Sequence, residues 1–179
     1  MIFQNIQVHH ETVARNIDHI VDKHHIQNLT EICRSQHPSA ASIWLPPQIG
    51  NIKINVDISF CNADSLISIG YIFINSNGKF IFAGIEHSTT GSAEEAKCRG
   101  LLAAVKRGVC QQLKHVEIDS DNKGAVDYLQ GKPSNLSWTA TNFLDEASTI
   151  AANYFTYFSF MHCNRSGNQS AHILASRAH

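Results

Sequence analysis

Residues 53–60 read KINVDISF, and the expected fold is arranged around this stretch. Ile54, Val56 and Ile58 alternate with polar residues, which is the period-2 pattern of a strand with one buried face. Asp57 then lies in the middle of the strand. Aspartate has low strand propensity and is costly to bury unpaired, so its place there indicates either a functional carboxylate or a solvent-facing edge residue.

The composition limits the class of protein. With 179 residues and a net charge of −1, the chain is long enough for one domain with a full core plus an extension, and it has no polybasic tail. Its five widely spaced cysteines include no CxxC pair, which is typical of buried thiols in a reducing compartment. No signal peptide or membrane-spanning stretch is evident. We therefore expect an intracellular protein, cytoplasmic or nuclear, without a membrane partner; the oligomeric state is open, with a monomer as the expectation.

The N-terminal part is predicted to be a helical extension. Apolar residues at helical spacing predict an amphipathic helix over residues 11–24, and a second short helix is predicted over residues 28–33. A linker follows at residues 37–42. We therefore divide the chain into an extension with its linker, residues 1–43, and a domain, residues 44–179.

The domain sequence alternates between strand and helix patterns. After the first strand, a β-forming run over residues 66–74 and its return over residues 79–85 are joined by an Asn-Gly turn, the strongest short hairpin signal. A helix follows to Cys110, with Ser92 as N-cap and Glu95 at capping-box spacing. The later elements are a strand at 114–119, helices at 121–129 and 137–153, a strand at 154–162 and a helix at 169–178. This order predicts an α/β fold with a mixed five-stranded sheet flanked by helices.

Five motifs in this order resemble the ribonuclease H type 1 domains of plants, which are similar to retroelement reverse transcriptases. They are WLPP at 44–47, KINVD at 53–57, NGK at 77–79, EIDSD at 117–121 and HCNRSGNQSAHILA at 162–175. The resemblance covers residues 44–179. It implies a ribonuclease H-like fold, binding of an RNA–DNA hybrid, and a site in which four carboxylates hold Mg²⁺, or Mn²⁺ in its place, for hydrolysis of the RNA strand.

The resemblance also implies which residues form the site. Asp57 matches the first family carboxylate, on the central strand, and Asp121 matches the carboxylate at the end of the fourth strand. An aspartate that opens a helix can also be an ordinary N-cap, so Asp121 keeps that alternative. Lys53 and Arg165 are candidate phosphate contacts, or else ordinary surface charges.

Two family positions carry no carboxylate in this chain. Counting back from Ala104 and Val105 by the family spacing reaches Lys97 where the family has a glutamate. Glu95 could be the third catalytic carboxylate only in a shifted register. His172 takes the fourth position, where a neutral imidazole is a weaker metal ligand.

The charge at the site decides between two functions. At an effective dielectric near 20, one unit-charge pair about 4 Å apart is worth on the order of 4 kcal/mol, so Lys97 in place of a carboxylate weakens Mg²⁺ binding. Ile58 adds bulk where the family has Gly, beside the expected path of the RNA backbone. The first expectation is an RNA–DNA hybrid ribonuclease with a partly degenerate two-metal site. The alternative is a retroelement-derived module that binds nucleic acid or protein without catalysis.

Overall fold

The structure is a computed structural model that describes residues 45–176. The predicted helical extension, residues 1–43, and its boundary with the domain lie outside the described residues. The strands and helices given below therefore belong to the domain alone.

Five strands of the described chain form one mixed sheet. The elements are β1 (Ile52–Ser59), β2 (Ile67–Asn75), β3 (Phe80–Ser88), α1 (Ala93–Cys110), β4 (His115–Ser120), α2 (Lys123–Leu129), α3 (Trp138–Tyr154), β5 (Tyr157–His162) and α4 (Gln169–Ser176). The strand order is β3-β2-β1-β4-β5. β1 pairs antiparallel with β2 and parallel with β4, and β4 pairs parallel with β5. The predicted mixed five-stranded sheet and the predicted element order are both confirmed.

The turn between β2 and β3 forms as the Asn-Gly signal predicts. Gly78 has a φ of 73°, which a residue without Cβ adopts at little cost. The Asn75 side-chain oxygen accepts hydrogen bonds from the backbone N–H groups of Asn77 (3.0 Å) and Lys79 (2.9 Å). Local side-chain chemistry therefore fixes this hairpin.

One face of the sheet packs against α1. Ile54 and Val56 are fully buried on this face. A Cβ added to Gly108 would lie 3.3 Å from Ile54 Cδ1, and one added to Gly100 would lie only 2.6 Å from Ile58 Cδ1. Small residues along α1 thus let the helix approach β1 closely.

The other face of β1 is also buried, so the predicted single buried face is wrong. Lys53 Nζ lies 3.0 Å from Asp119 Oδ2 and donates to the Leu45 carbonyl at 2.8 Å. Glu117 accepts from the Asn51 side chain at 2.9 Å. Because Lys53 offsets part of the negative charge of Asp119 and Glu117, the polar side of the strand can be covered by the chain that precedes it.

The parallel strands define the edge where the candidate site lies. The carboxyl ends of β1, β4 and β5 meet at one edge of the sheet, which we call the carboxyl edge. Asp57 lies near the end of β1, and Asp121 directly follows β4. The predicted parallel pairing of these strands therefore brings both carboxylates to the carboxyl edge.

Helix α4 covers the polar face of β1 beside this edge. Gly70 of β2 is the register partner of Asp57. A Cβ added to Gly70 would lie 2.6 Å from the Ala175 backbone nitrogen and 2.7 Å from the Ala171 carbonyl oxygen. The helix backbone therefore rests directly on Gly70, and this close approach places the first turn of α4 over Asp57.

Two further observations concern the predictions made from the composition. Within residues 45–176, no helix is long and apolar enough to cross a membrane. Of the cysteines in that range, Cys98 is buried and Cys163 is partly buried, whereas Cys61 and Cys110 are exposed. The prediction of buried thiols is thus wrong for the last two.

Candidate active site

Asp57 and His172 are in direct contact. Asp57 is 7 % exposed in β1. His172, in the first half of α4, places its Nδ1 at 2.7 Å from Asp57 Oδ2. When the Asp57 carboxyl is ionised it can only accept hydrogen bonds, and the ring nitrogen then donates to it. The structure thus brings the first and fourth family positions together.

The electrostatic environment of Asp57 is shaped by burial and by two neighbours. Burial raises the pKa of the Asp57 carboxyl above its ordinary value, a hydrogen bond from the Ile58 backbone opposes this rise, and the negative charge of Asp121 adds to it. The hydrogen bond and charge of His172 lower the Asp57 pKa again. Asp121 is therefore near enough for its charge to act on Asp57.

Asp121 is not explained by helix capping. The N-cap of α2 is Asn122, whose side chain accepts from the Ala125 backbone N–H at 3.4 Å. The Asp121 carboxylate is partly exposed and has no hydrogen bond or ion pair among residues 45–176. Asp121 is therefore not the N-cap of α2. Its carboxylate lies at the carboxyl edge without a hydrogen bond or ion pair among the described residues.

Glu95 caps helix α1. Ser92 is the N-cap, as predicted, and accepts from the Glu95 backbone N–H at 3.2 Å. In return, the Glu95 carboxylate accepts from the Gly91 backbone at 3.1 Å and from the Thr90 hydroxyl at 3.3 Å. Hydrogen bonds from Thr139 and from this turn lower the pKa of Glu95. Its role as a third catalytic carboxylate stays a prediction. In the structure its carboxylate oxygens accept hydrogen bonds at the start of the helix.

The neighbouring acidic residue, Glu94, is engaged in a similar way. Its carboxylate accepts from the Ser137 backbone N–H at 3.0 Å, at the N-cap of α3. Both acidic residues in the first turn of α1 thus connect to α3. Lys97, the residue that the family spacing aligns with the glutamate, is exposed and has no hydrogen bond or ion pair within the described chain.

The two candidate phosphate contacts have different surroundings. Lys53 is 5 % exposed and paired with Asp119 inside the domain, so it is not placed to meet a phosphate. The expectation for Lys53 is corrected accordingly: the lysine neutralises buried carboxylates. Arg165 is exposed in the loop before α4 and remains a candidate contact.

Ile58 points into the domain. Its side chain is half-buried and packs on Gly100 of α1. Since successive strand residues face opposite sides, Ile58 lies on the face away from Asp57. The bulk expected beside an RNA backbone is therefore directed largely toward α1.

One important residue was missed by the sequence interpretation. Asn168 is 1 % exposed. Its side-chain amide donates to the Val56 carbonyl at 2.8 Å, and its side-chain oxygen accepts from Asn55 at 3.3 Å. An asparagine just before a helix usually caps that helix, so the sequence signal alone would have suggested a local role.

Asp57, Asp121 and His172 are the candidate ligands of a divalent cation. Asp57 and Asp121 supply carboxylates, and His172 supplies an imidazole beside Asp57. Within the described part of the chain, no group of three or more His, Cys, Asp or Glu side chains is close enough to hold a metal ion. Mg²⁺ usually keeps several waters and is bound through one or two carboxylates together with substrate phosphates. Asp57 and Asp121 would thus hold such an ion only in part.

The sheet order, the helices on both faces and the carboxylates at the carboxyl edge define a ribonuclease H-type domain. Residues 55–178 match the family described as reverse transcriptase-like, and the chain belongs to that family. The predicted ribonuclease H-type membership is thus confirmed. No curated protein matches the chain significantly.

Solved structures show the same fold at low sequence identity. Ribonuclease H1 from the archaeon Halobacterium salinarum NRC-1 has a TM-score of 0.66 and 18 % identity, over 72 % of this chain and 97 % of that one. The N-terminal ribonuclease H domain of a Mycobacterium tuberculosis protein, solved as a fusion with maltose-binding protein, has a TM-score of 0.63 and 17 % identity, over 72 % and 92 %. LC11-RNase H1, from compost by a metagenomic approach, was solved in complex with an RNA/DNA hybrid and has a TM-score of 0.62 and 17 % identity, over 70 % and 94 %.

Proposed function

We propose that this domain binds RNA–DNA hybrids at the carboxyl edge and cleaves the RNA strand only slowly at millimolar Mg²⁺. The observation that carries this proposal is the contact of His172 Nδ1 with Asp57 Oδ2 at 2.7 Å, where the family pattern has two carboxylates. Membership of the reverse transcriptase-like family and the fold shared with a hybrid-bound ribonuclease H1 support the choice of substrate.

The charge of the site limits the chemistry. Divalent cations bound there would activate a water and stabilise the leaving oxygen. Asp57 and Asp121 would hold them, while His172 occupies one Asp57 oxygen and fixes the orientation of that carboxylate. Each missing carboxylate removes on the order of 4 kcal/mol of attraction per unit of cation charge at about 4 Å, before screening. Metal affinity is therefore expected to fall by about three decades or more relative to a four-carboxylate site.

The test measures binding and cleavage separately. Fluorescence anisotropy with a labelled hybrid, and with DNA duplex of the same sequence, gives affinity for wild type and Asp57→Asn. Cleavage of the same hybrid is followed at several Mg²⁺ and Mn²⁺ concentrations. We expect preferential hybrid binding by both proteins, slow wild-type cleavage that rises with metal, and none in Asp57→Asn. Asp145→Asn is the matched control, because Asp145 is an exposed aspartate in the middle of α3 and not at the end of a strand.

Two outcomes would contradict the proposal. Equal affinity for hybrid and DNA duplex would remove the substrate class. Rapid cleavage at millimolar Mg²⁺ that Asp57→Asn abolishes would show that the site is complete, and Glu95 would then be the first residue to test as the missing ligand.

A second candidate function is a binding module without catalysis. The hydrogen bonds of Glu94 to the start of α3 and of Glu95 to the start of α1 favour it, since both carboxylates already have partners there. The double variant Lys97→Glu with His172→Asp separates the two functions. A gain in cleavage supports a nuclease limited by charge, whereas no gain in a folded, hybrid-binding double variant supports the module.

A further inference from the structure

Asn168 connects the two halves of the candidate active site. Its side chain bonds to Val56 and Asn55, the two residues that precede Asp57 on β1. Its backbone carbonyl accepts the His172 N–H at 3.1 Å, in the first turn of α4. One buried residue thus touches the strand that carries Asp57 and the helix turn that carries His172.

The polarity of this connection is fixed by chemistry. The Val56 carbonyl can only accept, so Asn168 must turn its amide nitrogen toward it and its oxygen toward Asn55. Asn55 must then donate with its own nitrogen, which leaves Asn55 Oδ1 buried without a hydrogen-bond partner. Asp119 Oδ1, on the register partner of Asn55 in β4, is unpartnered as well. Unpaired buried acceptors are unfavourable, so an arrangement that keeps them calls for a reason other than stability.

We propose that Asn168 is a positioning residue that holds His172 on Asp57. This inference rests on the proposed function, because it matters only if the pair acts on a metal or hybrid. Helix α4 also packs through Ala171, Leu174 and Ala175, which are all buried. Loss of the Asn168 side chain therefore leaves α4 attached through Ala171 and removes only the tie between β1 and the residue that precedes the helix, one turn before His172.

The test uses the full chain and a readout that does not depend on nuclease activity. Ring ¹⁵N signals of His172, assigned by their absence in His172→Ala, show at neutral pH which ring nitrogen carries a proton. We expect a protonated Nδ1 in wild type and a mixture with the other tautomer in Asn168→Ala. Asn164→Ala is the matched control, because Asn164 is an exposed asparagine of the same loop; its spectrum should equal that of wild type.

A double-mutant cycle on Mn²⁺ binding, measured by electron paramagnetic resonance, tests whether Asn168 acts through His172. Loss of a residue that orients a metal ligand typically lowers metal affinity by about 10-fold, and we expect this change for Asn168→Ala. In the His172→Ala background the same substitution should change affinity less than about twofold. Fully additive effects would overturn the proposal, as would an unchanged His172 ring signal in Asn168→Ala.

Two further outcomes remain informative. If Asn168→Ala does not fold, Asn168→Leu keeps a side chain of similar size and removes both hydrogen bonds to β1, and an unchanged ring signal in that variant likewise overturns the proposal. If wild type binds neither Mn²⁺ nor hybrid, the proposed function fails, while the ring signals still show whether Asn168 holds His172 in place.

Discussion

Replacing Gly70 by alanine should separate helix α4 from the sheet at the site. The added Cβ would lie 2.6 Å from the Ala175 nitrogen and 2.7 Å from the Ala171 oxygen, both backbone atoms that no rotamer change can move. Ordinary contact needs about 3.5 Å, so α4 must shift by about 0.8 Å. Overpacking of this kind typically costs about 1–3 kcal/mol, and we expect the upper part of that range.

The shift also has a consequence at the site. His172 lies on α4 at 2.7 Å from Asp57, and a displacement of about 0.8 Å would bring this hydrogen bond to the limit of about 3.5 Å. Urea unfolding and the His172 ring signal measure the two effects. Gly124→Ala is the control, because its nearest heavy atom would be 3.6 Å away and a helical Gly→Ala change should stabilise by up to about 1 kcal/mol. If Gly70→Ala were as stable as wild type and kept the ring signal, the reasoning would be refuted.

Two other outcomes are expected. Gly100→Ala should destabilise the protein less than Gly70→Ala, because the added Cβ would lie 2.6 Å from the Ile58 side chain and that side chain can move. Adding Ile58→Val to Gly100→Ala should recover part of the lost stability. Equal urea midpoints for Gly70→Ala, Gly100→Ala and the double variant would contradict this. Burial raises the folded-state pKa of Asp57, so the stability that its protonated form contributes is lost as pH rises from about 3.8 through that raised pKa. Asp57→Asn should therefore melt higher than wild type at neutral pH, by a margin that shrinks toward acid; a lower melting temperature at every pH would show that the His172 contact outweighs burial.

Most of the fold was predictable because local patterns and distant packing agree. The Asn75–Gly78 turn is held by the Asn75 side chain, and Ser92 caps the start of α1, where a cap was expected. The buried polar face of β1 was not predictable. The alternating pattern predicts a solvent-facing Lys53, and only the pairing of β1 with β4 brings Asp119 beside it.

The candidate site shows the same division. Asp57 and Asp121 follow from motif positions that the strand pairing brings to one edge. Glu94 accepts a hydrogen bond from Ser137, far along the chain, and the Asn168 side chain bonds to β1. Such contacts are set by tertiary structure, so no spacing rule within one element could have predicted them.

The central claim is that two carboxylates and His172 limit the chemistry of the site. Its most direct test is the single-turnover rate of hybrid cleavage by wild type and His172→Asp, at equal Mn²⁺ and with enzyme in excess. We expect a rate at least about tenfold higher for the variant, because one added unit charge near the cation is worth several kcal/mol before screening. A rate equal to or lower than that of wild type, in a variant that binds the hybrid equally well, would contradict it.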